Sequence, residues 1–167
     1  MFKRIDAAVK AFLDPKIIEV EIERRDVLTG LLTRGALWED SMREFERAKR
    51  EKKVLSIVFI DLDGLKEVND TQGHPMGDFY LKEFSKIASK HLRPSDLLVR
   101  WGGDEFLILM YATEKEVAIT MNRIKGLFAN FSWGSEIWSK KNELKKVIAN
   151  ADEAMYKMKR EKKKTPT

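Results

Sequence analysis

Two acidic stretches constrain what this chain can fold into: Asp61-Leu62-Asp63, and Arg100-Trp101-Gly102-Gly103-Asp104-Glu105-Phe106. The first closes an apolar run, Val54 to Ile60, that reads as a buried strand, and carboxylates at a strand's end commonly meet a ligand at the sheet edge. The second reads as a hairpin. Val99 to Trp101 runs up, Gly102-Gly103 supplies the positive φ angles of a two-residue turn, and Phe106 to Tyr111 returns as a second apolar strand. With the two elements side by side, Asp61 and Asp104 converge on one point. Two hard oxygen donors with open positions suit Mg²⁺ or Mn²⁺, an ion that such sites share with the phosphates of a nucleotide.

The chain of 167 residues has room for one domain with a real core. No run approaches the ~20 apolar residues that a bilayer demands, so a soluble protein without membrane insertion is expected. Met1-Phe2-Lys3-Arg4 leads into an amphipathic stretch rather than a secretory core. The absence of cysteine excludes disulfides and thiolate metal sites and suits a cytoplasmic location. Much of the net charge of +5 comes from the tail, where Lys157, Lys159, Arg160, Lys162, Lys163 and Lys164 crowd together. Basic groups suit the C-terminal end of a helix. Only Tyr156 interleaves them, so nucleic acid is not the expected partner.

In chain order, residues 2 to 25 read as helical, with Phe2, Ile5, Val9 and Phe12 at three- and four-residue spacing until Asp14-Pro15 interrupts. This divides the chain into an N-terminal helical segment or linker, 1–25, and a main domain, 26–167. Residues 35 to 52 follow as an amphipathic helix with Trp38 and Phe45 in the core. Gly64-Leu65-Lys66 and Asn69-Asp70 read as turn or loop, and Gly77-Asp78 as the start of a helix to His91. A further helix spans Glu114 to Phe128, with Val117, Ile124 and Leu127 facing inward. The last spans Asn142 to Lys163.

Gly102-Gly103-Asp104-Glu105-Phe106 does not stand alone. Asp26-Val27-Leu28-Thr29-Gly30-Leu31 with Arg34 precedes it, as do Asp61-Leu62-Asp63 with Lys66, Asn69 and Asp70, and Gly73-His74 with Gly77-Asp78. Ala151-Asp152 with Tyr156 and Lys159 follows. With these blocks in this order, the chain resembles the GGDEF domains of diguanylate cyclases over roughly residues 26 to 163. The resemblance implies an α/β (α+β) domain with a central, mostly antiparallel sheet flanked by helices, similar to the palm of nucleotide cyclases and polymerases.

The resemblance also implies a reaction, two GTP giving cyclic di-GMP and two pyrophosphates, with Asp61, Asp104, Glu105 and Lys66 as the catalytic set. Mg²⁺ or Mn²⁺ would be held by Asp61, Asp104 and the Leu62 carbonyl. Lys66, Lys159 and Lys163 would anchor the triphosphate, with Gly102 and Gly103 letting the backbone approach it. Asn69 and Asp78 would hydrogen-bond the guanine edge, an arrangement that rejects adenine. Each domain would hold one GTP, so the active form would be a homodimer.

Arg93-Pro94-Ser95-Asp96 matches the R-x-x-D site at which product inhibits many of these enzymes, and Arg123 matches the arginine that completes it. In the family the N-terminal segment is often a linker from an upstream sensor domain. The chain departs from the pattern in three places. Lys163 stands for an arginine and Lys162 for a glycine, and the segment before Ser132-x-Gly134 is short. A binding module that senses GTP or cyclic di-GMP without turnover is the rival reading, and a cyclase making a different product a further one.

Overall fold

The computed structural model describes residues 24–164. Nearly all of the helix read over residues 2–25 lies outside the described residues. Five strands form one sheet: β1 (Leu32–Thr33), β2 (Ser56–Leu62), β3 (Leu97–Gly102), β4 (Glu105–Met110) and β5 (Phe131–Ile137). Their spatial order is β1-β3-β4-β2-β5. The β1–β3 pairing is parallel and the other three are antiparallel. The helices are α1 (Arg34–Glu51), α2 (Leu65–Gln72), α3 (His74–His91), α4 (Glu114–Lys125) and α5 (Leu144–Lys164). This is the mixed sheet flanked by helices that the sequence implied.

Strand β2 lies inside the sheet between β4 and β5, and both of its faces are apolar, as in a strand covered on both sides. Its odd residues, Ile57 and Phe59, join Leu37 and Phe45 of α1 and Val147, Ile148, Ala151 and Met155 of α5 in one core. Its even residues, Val58, Ile60 and Leu62, join Leu81 and Phe84 of α3 and Val117, Met121 and Ile124 of α4 in the other. The period of two therefore carries the odd row onward to Asp61, on the face that α5 covers. Gly134 lets α5 come close, since a Cβ there would stand 2.2 Å from the Met155 amide nitrogen and 2.3 Å from the Ala151 carbonyl oxygen.

Several boundaries differ from the sequence reading. The first strand is displaced to Ser56–Leu62, so Asp61 lies inside it and Val54 outside. The reason is pairing, since Asp61 is held between Glu105 of β4 and Ser132 of β5. Asn69 is not a loop residue: residues Leu65–Gln72 form a helix that leaves Gly64 at φ 81°. The next helix opens at His74 rather than Gly77, with Pro75 in its first turn, where a missing N–H costs nothing. Trp38 is 36% exposed, beside Trp101, and Leu127 is 62% exposed because α4 ends at Lys125 before that residue can turn inward.

Candidate active site

The hairpin between β3 and β4 turns one residue later than the glycine pair suggested. Gly102 still pairs with Glu105, which leaves Gly103 and Asp104 as the two turn residues. Gly103, at φ 54°, takes the left-handed position, and the loop with glycine first is a favoured hairpin form. The ladder steps from Arg100–Phe106 to Gly102–Glu105, so Trp101 is an extra residue, a bulge of the kind that re-aims a strand end.

Arg100 braces this tip. Its Nε and Nη2 donate to the Gly103 carbonyl at 3.2 and 2.9 Å, and its Nη1 donates to both carboxylate oxygens of Asp26 at 3.0 and 3.1 Å. Asp26 also accepts from the Thr29 amide and hydroxyl. Burial acts to raise the Asp26 carboxyl, but Thr29 and Arg100 outweigh it and hold the group below its ordinary value. Sequence reasoning noted Asp26 and Arg100 without giving them this part. The signal was an arginine at the end of an apolar strand, beside a glycine turn; its partner Asp26 lies far off in sequence.

The tip meets β2 through the Leu62 amide, which donates to the Asp104 carbonyl at 3.0 Å. Asp61 and Glu105 stand directly opposite each other on paired strands, and such residues share a face. From α5, Lys159 donates to Asp61 and Lys162 donates to Asp63 at 2.7 Å. Burial pushes the Asp61 carboxyl above its ordinary value; Lys159 pulls it down, and Asp104 and Asp63 push it up again. Glu105 is raised as well, first by burial and then by Asp104, Asp152 and Asp61. Burial opposes the charge on Lys159, yet Asp61, then Asp63 and Asp104, raise its pKa.

A cleft of about 430 Å³ opens here, lined by Leu62, Asp63, Gly64, Lys66, Asp104, Lys159, Lys162 and Lys163. Four ammonium groups and two carboxylates face one space, a composition that suits a polyanion carrying a divalent cation. The sequence showed Lys162 as one of the basic tail residues and as standing where the family has a glycine, without a place in the site. Among the described residues, no three acidic or histidine side chains form a ready cage for a metal. A cation bound by Asp61, Asp104 and the Leu62 carbonyl would take its other ligands from phosphate and water, as Mg²⁺ usually does. The mutually repelling acids fit such an ion.

Asn69 and Asp78 lie outside that lining. Asn69 lies at the corner of α2 and α3, where its side chain sits over Gly77, the residue before Asp78. A Cβ on Gly77 would stand 1.9 Å from Asn69 Oδ1. Glycine is what lets the two helices close and brings Asn69 beside the residue preceding Asp78.

The Arg93–Asp96 turn lies at the other end of β3, ~20 Å from the hairpin tip by strand rise alone. Asp96 is turned inward, accepting from the amides of Arg93 at 2.9 Å and Tyr111 at 3.4 Å. Arg93 donates to the Tyr111 carbonyl at 3.2 Å and lies 3.9 Å from Glu116. Arg123 is exposed in the last turn of α4.

The family model described as "Diguanylate cyclase, GGDEF domain" matches residues 23–165. The chain belongs to the GGDEF family. This GGDEF domain is 36% identical over 150 residues to the diguanylate cyclase DosC of Escherichia coli K12, covering 81% of the chain and 33% of that relative. It thus spans about a third of the length of that curated relative. Among solved structures it is similar to the diguanylate cyclase SiaD of Pseudomonas aeruginosa, crystallised with its activator SiaC. There the TM-score is 0.77 at 29% identity, over 95% of this chain and 66% of that one. A microbial GGDEF domain studied for its interaction with cyclic di-GMP gives 0.76 at 31% identity, over 83% of this chain and 94% of that one. Among the described residues, no helix is long and apolar enough to cross a membrane.

Proposed function

We propose that this chain is a diguanylate cyclase, condensing two GTP into cyclic di-GMP with release of two pyrophosphates. The observation that carries this reading is the lysine-lined cleft against the acids of β2 and the hairpin tip. Membership of the family and likeness to relatives named diguanylate cyclase support it.

In this reading Lys66, Lys159 and Lys163 bind the triphosphate, and Gly102 and Gly103 leave open space for it, since a Cβ on either would touch nothing within 4 Å. Lys163 supplies charge without the planar fork of an arginine, so it holds phosphate at a point rather than in two-pronged fashion. Mg²⁺ or Mn²⁺ at Asp61, Asp104 and the Leu62 carbonyl would ease deprotonation of a ribose 3′-hydroxyl and offset charge at the attacked α-phosphate. Lys159, now on Asp61, moves to phosphate when substrate enters. Glu105, raised above its ordinary value, assists with the cation or with proton transfer. Asn69 and Asp78 read the guanine edge. Each domain holds one GTP, so the working form is a homodimer, and an upstream sensor domain or protein is its natural controller.

Product inhibition is assigned to Arg93, Asp96 and Arg123. Arg93 is exposed and engaged only by a carbonyl and a distant carboxylate, so a guanine or phosphate can take it over. Asp96 acts by shaping the turn. Arg93→Ala with Asp96→Ala should relieve inhibition and leave the initial rate intact, whereas unchanged inhibition would dismiss this site.

Incubation with GTP and Mg²⁺ followed by chromatography tests the activity itself. Cyclic di-GMP should form at a rate rising with the square of protein concentration while the dimer is dilute. Binding without product would turn the assignment to a sensing module, and a first-order rate at concentrations where the chain sediments as a monomer would remove the dimer.

A further inference from the structure

Asp63 and Lys162 were given no part in the reaction just described, yet both line its cleft and pair with each other. Asp61 in β2 and Asp63, the first residue beyond it, stand two residues apart, and Lys159 and Lys162 stand three apart on one side of α5. They meet pair by pair, Lys159 on Asp61 and Lys162 on Asp63. Asp63 is the residue at which the chain leaves β2 and turns into α2.

All of its polar groups are engaged. Its amide donates to the Asn130 carbonyl at 2.9 Å, and its carbonyl accepts from the Tyr80 hydroxyl at 3.1 Å. Its carboxylate accepts from the Ser132 hydroxyl at 3.1 and 3.2 Å and from Lys162 at 2.7 Å. The helix that follows has Gly64 as its N-cap and therefore no side-chain cap of its own. Its start is located by the anchors on Asp63.

Lys162 also donates to the Phe131 carbonyl, where Lys125 donates at 3.1 Å. Two ammonium groups on one carbonyl repel. Burial, then Lys162, pushes Lys125 down to about 8, and Asp63 is the carboxylate that Lys162 grips beside it at 2.7 Å.

We propose that Lys162 is a positioning residue of the phosphate cleft: through Asp63 it fixes the turn into α2, and so fixes where Lys66 stands relative to Lys159 and Lys163. A glycine at this place could not do so, and the departure from the family pattern becomes a brace on the triphosphate side only. This inference rests on the cyclase reading for the identity of the nucleotide.

The test measures affinity of the full chain, with Mg²⁺, for 3′-deoxy-GTP, which lacks the reacting hydroxyl, and for GMP, which lacks the outer phosphates. Lys162→Met should weaken 3′-deoxy-GTP about tenfold, the scale of one charged hydrogen bond, and leave GMP within about twofold. Lys162→Arg should recover most of the loss, and Asp63→Asn added to Lys162→Met should cost little more, because both remove one pair. A general loosening of the fold would weaken both ligands alike and overturn the inference. So would a folded Lys162→Met protein with unchanged 3′-deoxy-GTP affinity, or an arginine variant no better than methionine. If the unaltered chain binds 3′-deoxy-GTP but makes no cyclic product from GTP, the cyclase reading falls while Lys162 is still judged on affinity. If it binds neither nucleotide, both fall.

Discussion

Asp61 and Asp96 are acids of two motifs at opposite ends of the sheet, and burial pushes both carboxyls above their ordinary value. Their company differs. Around Asp96 every neighbour favours the charge: the amides of Arg93 and Tyr111 donate to it, and Arg93 lies close. Around Asp61 the neighbours are divided, with Lys159 in favour and Asp104 and Asp63 against. An acid whose surroundings agree is holding a turn together. An acid whose surroundings disagree is kept at a cost to stability, and a cation with phosphate would resolve the conflict.

The strongest break of this contrast removes one of the opposing acids. Asp104→Asn should lower turnover about a thousandfold through lost metal binding, measured as cyclic product per dimer. Near-normal activity would take Asp104 out of the metal shell. Next in size is Gly134→Ala, which pushes α5 and its lysines off the sheet without touching the Arg93–Asp96 turn. Backbone atoms stand in the way, so we expect a loss of about 3 kcal/mol in denaturant unfolding. A neutral outcome would mean that α5 can slide.

Asp96→Ala should follow, costing about 2 kcal/mol because the amides of Arg93 and Tyr111 lose their acceptor. At the other end Asp61→Asn should cost far less or stabilise, and equal losses at the two sites would abolish the distinction.

The smallest effect has the opposite sign. Glu105 has a folded pKa above its unfolded one, so its ionisation opposes folding. Below the unfolded value the group costs nothing; as pH rises through the folded value stability is lost. Glu105→Gln should therefore raise Tm at neutral pH by roughly 2 °C and leave it unchanged in acid. A fall in Tm at neutral pH would show that the opposing acids do not set the balance there.

The central strand, the hairpin, the last helix and the family were legible in the sequence because each is written in local pattern: an apolar run, a glycine before an acid, helical spacing, ordered motifs. The errors came from the same source. Glycine pairs announce a turn without saying which residue is its first, and here pairing of Gly102 with Glu105 moved the turn to Gly103-Asp104. Asn69 looked like a loop residue because short polar side chains favour loops, but packing on Gly77 made the segment a helix. Trp38 looked like core because it sits among the apolar residues of an amphipathic helix, although α1 turns it to the rim.

The sequence by itself determined which residues alternate along β2, that acids end its row, and that lysines recur on one side of the last helix. Only the tertiary structure decided that these rows meet, that Arg100 spans from Asp26 to the Gly103 carbonyl, and that Lys162 closes on Asp63. The physical reason is range. Periodicity fixes where side chains point within one element, whereas an ion pair between residues some hundred positions apart exists only once strand register and helix packing have brought the two backbones together.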